Sequence, residues 1–167
     1  MSHIQLFIDS LIRPKNLAKY RVLGVGKVLQ YTFLLIALLT IFSFGQFVNN
    51  MEQQIESFKQ FSSSSEDIKW IIYPASFVVL FVLSTSIQFL KISLYAFAGW
   101  LLLKPLKRRG EYRHVWRTAA FAITWATLLS IIFTSFQLTA TAWTIFGMFI
   151  TVAFTIIAIH HYPKLKA

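Results

Sequence analysis

Lys91 stands alone as a cation inside a mostly apolar stretch, residues 70–103. An ammonium within a bilayer costs about 2.5–3.5 kcal/mol on insertion scales, so such a residue faces a cavity or a partner, or extends its stem to the headgroups. No Asp or Glu lies in any of the long apolar runs to pair with it. That absence argues against proton- or cation-coupled transport, whose relays use membrane carboxylates. His160 and His161 are adjacent and point to different sides of a helix, whereas paired metal ligands favour i, i+3 or i, i+4. They read as interfacial residues at the end of a span. Asp9, Glu111 and His114 form no recognisable triad, and no HExxH, GxSxG or P-loop occurs. GVG at 24–26 lacks the strand and helix context of a nucleotide loop. The expectation is a non-enzymatic protein with no cofactor and no metal.

Charge defines a second set. KPLKRRGEYRHVWRT, residues 104–118, holds six of the sixteen Lys and Arg. Lys107, Arg108, Arg109, Arg113 and Arg117 in this stretch are candidate contacts for anionic lipid or a partner's acidic surface, as are Arg13, Lys15, Lys19 and Arg21 near the N-terminus. Each basic residue near an anionic membrane surface contributes about 1 kcal/mol. A net charge of +10 would also suit nucleic acid, but that requires basic groups on a water-exposed fold. Here they sit at the margins of apolar runs, and nucleic acid is excluded.

Small residues form a third set. Thr118, Ala122, Ala126, Ser130 and Thr134 recur every four residues, and Gly147, Thr151 and Thr155 make a shorter series. In lipid, small faces allow close approach of helix backbones. Packing within one subunit is one reading; self-association or contact with another membrane protein is the other. A rival reading has Lys91, Gln88 and the Thr/Ser faces lining a path, as in a small transporter or channel subunit.

The elements that must position these residues follow from composition. Hydrophobic residues make up 56% of the 167-residue chain and charged residues 13%, against about a quarter charged in soluble proteins. Cysteine is absent. Residues 28–48 are uncharged and long enough to cross a hydrocarbon core of about 30 Å. Residues 49–69 read as a polar extracytoplasmic loop with a Ser run. Residues 70–103 read as a long second span with Pro74 in its first turn, continuing past Lys91 as a tilted or bent helix. Pro105 and Gly110 break it, leaving 104–117 as a basic cytoplasmic loop. Residues 118–136 and 142–159 are the third and fourth spans, joined by a tight turn at QLTAT, and 160–167 is a tail. Thirteen of the sixteen Lys and Arg fall in 1–27, 104–117 and 160–167, which places both termini in the cytoplasm. In the N-terminal arm, 1–27, Ile4, Phe7, Ile8, Leu11 and Ile12 share one helical face before Pro14. That helix lies on the inner leaflet or packs under the bundle. The fold class expected is all-α: a polytopic membrane bundle of four transmembrane helices plus an N-terminal amphipathic interfacial helix.

The arm SLIRPKNLAKYRVLGVGKVLQYTFLL, residues 10–35, resembles the opening of a bacterial integral membrane family known as domain of unknown function 1189. The residues that carry it are Ser10, Leu11, Pro14, Lys15, Ala18, Lys19, Tyr20 and Arg21. LLLKPLKRRGEYRHVWRTAAFAIT is similar to a turn between spans in that family and, more distantly, in Yip-type membrane proteins. The chain departs from the family in its short segment after the first span. The resemblance implies a bacterial cytoplasmic-membrane protein, with some relatives associated with maltodextrin-uptake genes, and supplies no catalytic residues. The function expected is an accessory or scaffold protein acting through helix packing and a basic inner surface. Its expected partners are anionic membrane lipids and another membrane protein or a second copy.

Overall fold

The computed structural model describes residues 3–58, 65–135 and 140–164. Every regular element among them is an α-helix: α1 (His3–Ile12), α2 (Pro14–Tyr20), α3 (Val25–Phe58), α4 (Ser65–Leu103), α5 (Tyr112–Ala122), α6 (Thr124–Ser135) and α7 (Ala140–His160). Helices suit so apolar a chain because they satisfy their backbone groups internally, without water. The hydroxyls follow the same rule. Thr32, Thr40, Thr85, Thr151 and Thr155 each donate to the carbonyl four residues back in their own helix.

Three stretches are long and apolar enough to cross a membrane: Val25–Met51, Trp70–Leu103 and Tyr112–Phe133. In α7 the apolar stretch Thr144–His160 is shorter. The long pair α3 and α4 packs as an antiparallel hairpin. Phe33 meets Phe89 edge-on at 5.8 Å between centroids, and farther along Phe44 meets Phe77 at 5.3 Å and Tyr73 at 6.4 Å. α3 runs on to Phe58 and α4 starts at Ser65, so the loop expected at 49–69 is helical at both ends. The Ser run from 62 to 64 and the first residues of the QLTAT turn lie outside the described residues. Because α4 starts early, Pro74 sits inside the helix rather than in its first turn, where its missing N–H removes one backbone bond. The helix then continues through Lys91 without interruption.

The third span begins earlier than its apolar run. α5 starts at Tyr112, capped by Glu111 and His114 in a reciprocal capping box, and passes through Ile123 in helical geometry into α6. Tyr112 and Arg113 at its start are exposed, and His114, Trp116 and Arg117 are half-buried. Val115 and every residue from Thr118 to Ala122 are buried, among them Phe121 between Tyr20 and Tyr31 at centroid distances of 5.4 and 4.9 Å.

The N-terminal arm also differs from its helical wheel. Leu6 and Ser10 of α1 are buried, while Ile4, Ile8 and Ile12 face outward. Ser10 can face the core because its hydroxyl donates to the Leu6 carbonyl at 2.7 Å. Trp125 Nε1 of α6 donates to the Leu11 carbonyl at 2.9 Å, and the Tyr20 hydroxyl donates to the Asp9 carboxylate. Thus α1 packs on the bundle and still carries an exposed isoleucine row.

Candidate functional site

The basic arm, the basic loop and the tail converge at one end of the molecule, and the turn after α4 sets the loop's path. Lys107 has φ 51°, the one positive φ outside glycine among the described residues. Its N–H donates to the Lys104 carbonyl at 3.0 Å, and that of Arg108 donates to the Leu103 carbonyl at 3.0 Å. This pair of bonds is the Schellman arrangement that closes a helix C-terminus, usually with glycine where Lys107 stands. The chain then meets the tail. Arg109 N–H donates to the Pro163 carbonyl at 2.9 Å, and Arg108 pairs with Lys164 in an isolated antiparallel bridge.

Tyr162 is the centre of this junction. It is 1% exposed. Its hydroxyl bonds Thr118 Oγ1 at 2.5 Å and donates to the His114 carbonyl at 3.1 Å, while its own carbonyl accepts from Arg108 Nη1 at 2.9 Å. The Arg21 guanidinium stacks over its ring at 5.1 Å, and its ring edge stands 3.2 Å from where a Cβ on Gly110 would be. Burial pushes the Tyr162 phenol up to about 12, with the Thr118 bond and the Arg21 charge acting the other way. Tyr20, in the arm, is raised still further by burial and then by its bond and charge interaction with Asp9.

These contacts divide the basic residues into two groups. Arg21, Arg108 and Arg117 are held by the fold: Arg117 Nη1 donates to the Arg21 carbonyl at 3.0 Å, alongside the Arg108 and Arg21 contacts to Tyr162. Arg113 pairs with Glu111 at 2.6 Å on the surface, with both side chains more than half exposed. A surface pair of this kind contributes little, about 0–1 kcal/mol. Arg13, Lys15, Lys19, Lys107 and Arg109 are exposed. Of these, Arg109 lines two cavities at once. The larger, about 420 Å³, lies between Arg21, Val22, Arg109, Glu111, His114 and Lys164. The smaller, about 280 Å³, is walled by Trp100, Leu101 and Leu103 and rimmed by Lys104, Arg108 and Arg109. Gly110 borders both. An apolar wall beneath a cationic rim can hold an acyl chain and the phosphate above it.

The small-residue series lies only partly inside the subunit. Thr118 and Ala122 are buried, Ala126 is half-buried and Ser130 is exposed; the side chain of Thr134 lies outside the described residues. Gly147, Thr151 and Thr155 are buried, and a Cβ on Gly147 would lie 3.2 Å from the Ala126 Cα. The two series therefore meet across α6 and α7. Lys91 is apart from the basic end, in a cavity of about 30 Å³ shared with Gln88, Tyr95, Thr127, Ser130 and Thr144. His160 and His161 lie ring to ring at 5.9 Å, and no cluster of three metal-ligating residues occurs among the described residues.

Two residues that organise this region escaped the sequence reading. Tyr162 belonged to a tail with no assigned role, although an aromatic before proline just past a span is itself a signal. Gly99 was also missed. A Cβ there would come within 2.8 Å of Val115, 2.9 Å of Ile159 and 3.1 Å of Thr155, so it sets the approach of α4 to α5 and α7.

A family model described as "Protein of unknown function (DUF1189)" matches residues 4–65 and 56–159. No curated protein and no solved structure matches the chain.

Proposed function

The chain belongs to the DUF1189 family, whose description assigns no activity, and from its own geometry we propose a non-enzymatic accessory or scaffold protein of the bacterial cytoplasmic membrane that binds anionic phospholipid through its basic end. In this reading α3, α4, the α5–α6 pair and α7 cross the membrane. The arm, the loop and the tail lie on the cytoplasmic side, where anionic headgroups concentrate. The observation that carries the proposal is the pair of adjoining cavities at Arg109. One has an apolar wall at Trp100 and Leu101, and both have cationic rims.

The partner-binding half of the reading falls to a different surface. The ladder of small residues is used within the subunit, Ala126 against Gly147. The outward face of α4, with Ile87, Leu90, Leu94 and Phe97 each at least half exposed, is one surface open to a membrane partner.

Native mass spectrometry in detergent, titrated with phosphatidylglycerol or phosphatidylcholine, tests the lipid site. Phosphatidylglycerol is expected to be retained preferentially, and Arg109→Gln is expected to reduce that retention several-fold without lowering thermal stability. Retention should also weaken as ionic strength rises, since exposed charges are screened. Equal retention of the two lipids would overturn the proposal.

A further inference from the structure

The geometry points to a binding site for a small monovalent anion, chloride in the first instance, in the cavity around Lys91. Four helices line it: Leu39 comes from α3, Gln88, Lys91 and Tyr95 from α4, Thr127 and the exposed Ser130 from α6, and the exposed Thr144 from α7. On α4 the three residues follow i, i+3 and i+7, so they share one face of a long apolar helix. On α6, Thr127 and Ser130 meet it. Gln88 is 3% exposed, and its Nε2 donates to Thr127 Oγ1 at 2.6 Å, while Thr127 donates on to the Ile123 carbonyl at 3.0 Å.

The local charge balance is open. Lys91 brings a full positive charge into a wall otherwise made of amide, hydroxyl and apolar groups. The only ion pair among the described residues is Arg113 with Glu111, at the other end of α5. No Asp or Glu occurs anywhere in residues 25–51, 70–103, 112–133 or 144–160. A charge in such surroundings calls for a counter-charge, and this chain has none to offer inside the bundle. Lys91 lies twelve residues before the end of α4, about 18 Å along the helix, farther than its four-carbon stem extends. The ammonium therefore does not reach the basic end.

Size and donor chemistry select the ligand. A cavity of about 30 Å³ admits one body of roughly the dimensions of a water molecule. That suits a halide better than a lipid phosphate. An ammonium supplies three N–H donors, and the phenol of Tyr95 can supply one more. The site is independent of the phospholipid reading, since neither Arg109 nor the tail takes part in it.

Bromide supplies the direct probe. Crystals of the full-length protein grown in sodium bromide are expected to show an anomalous peak beside Lys91 Nζ. In solution, thermal unfolding in detergent is expected to shift upward and saturate as chloride replaces gluconate at constant ionic strength. Lys91→Met keeps the length of the side chain, removes its charge and is expected to abolish that shift. Absence of the anomalous peak would overturn the proposal, as would a chloride response unchanged in Lys91→Met. An identical melting temperature in chloride and gluconate would do the same and would fit a resident water or a partner's carboxylate. The wild-type measurements decide the matter even if the variant does not fold. Loss of phosphatidylglycerol binding with an intact halide response would sink the lipid reading and leave this one standing.

Discussion

At the scale of single residues, the basic end separates side chains that build the junction from side chains that are free to bind. Tyr162 belongs to the first kind: its hydroxyl joins Thr118 of α5 to the His114 carbonyl, and its ring lies under Arg21. Removing the hydroxyl in Tyr162→Phe leaves Thr118 with its bond to the His114 carbonyl at 3.2 Å, so the loss should be about 1 kcal/mol, that of one buried hydrogen bond. A lower melting temperature in detergent with unchanged helicity is the expected reading. The phenol also carries a pH dependence. Its folded value of about 12 lies above the ordinary value near 10. Its contribution is complete below pH 10 and is lost as pH rises towards 12. Stability of the wild type should fall across that window more steeply than that of Tyr162→Phe, measured by unfolding at a series of alkaline pH values. Little of this was legible in the sequence. The basic residues were visible as a cluster, but which of them are held depends on a tail tyrosine that meets the loop only in three dimensions. Arg108 and Arg109 are neighbours in sequence, yet one guanidinium is held by the Tyr162 carbonyl and the other lines two cavities.

At the scale of elements, the helices were readable and their ends were less so. Apolar runs identify α3, α4 and α7 as helices, and those of α3 and α4 are long enough to cross a membrane, whereas that of α7 is shorter. The first residues of α5 resemble a loop up to residue 117, since Arg113, His114 and Arg117 look polar in one dimension. Those residues leave from the outer side of a helix whose Val115, Thr118 and Ala119 are buried. Glu111 stands at the true helix start, where it caps α5 together with His114. Gly99 shows the opposite difficulty. Its importance comes from Val115, Thr155 and Ile159, which lie on two other helices and give no local signal. The C-terminal turn of α4 offers a direct test. Lys107 occupies a left-handed position at φ 51°, where a side chain costs roughly 1–2 kcal/mol and glycine does not. Lys107→Gly is therefore expected to raise stability by about 1 kcal/mol, part of the gain being offset by the greater freedom of glycine in the unfolded chain. Thermal unfolding beside a Lys107→Ala control, which removes the charge and keeps the strain, checks the assignment. A rise in the glycine variant alone is the expected result.

At the scale of the whole molecule, the central fact is that three distant parts of the chain end at the same place. Arg117 of α5 holds the Arg21 carbonyl of the arm, and Arg109 of the loop donates to the Pro163 carbonyl of the tail. If the long helices cross a membrane, these contacts require arm, loop and tail to share one side of it, whatever the direction of insertion. The charge distribution then adds the direction, because Lys and Arg are retained on the cytoplasmic side. The two arguments are independent, one from packing and one from composition, and they make separate predictions. The chain contains no cysteine, so single cysteines can be placed without a background. Lys19→Cys, Lys107→Cys and Lys164→Cys change exposed side chains at the shared end, and Asn49→Cys changes one far along α3. In intact cells a membrane-impermeant maleimide should label Asn49→Cys and spare the other three. In inverted vesicles the pattern should reverse. Labelling of the three from the same side, whichever side it is, supports the packing, whereas protection of all three in intact cells supports the orientation. If any one of the three reacted from the side opposite to the others, the junction around Tyr162 could not exist in the membrane. The proposed lipid site on that junction would fall with it, and the cavity at Lys91, lined from α3, α4, α6, α7 and the α5–α6 joint at Ile123, would not.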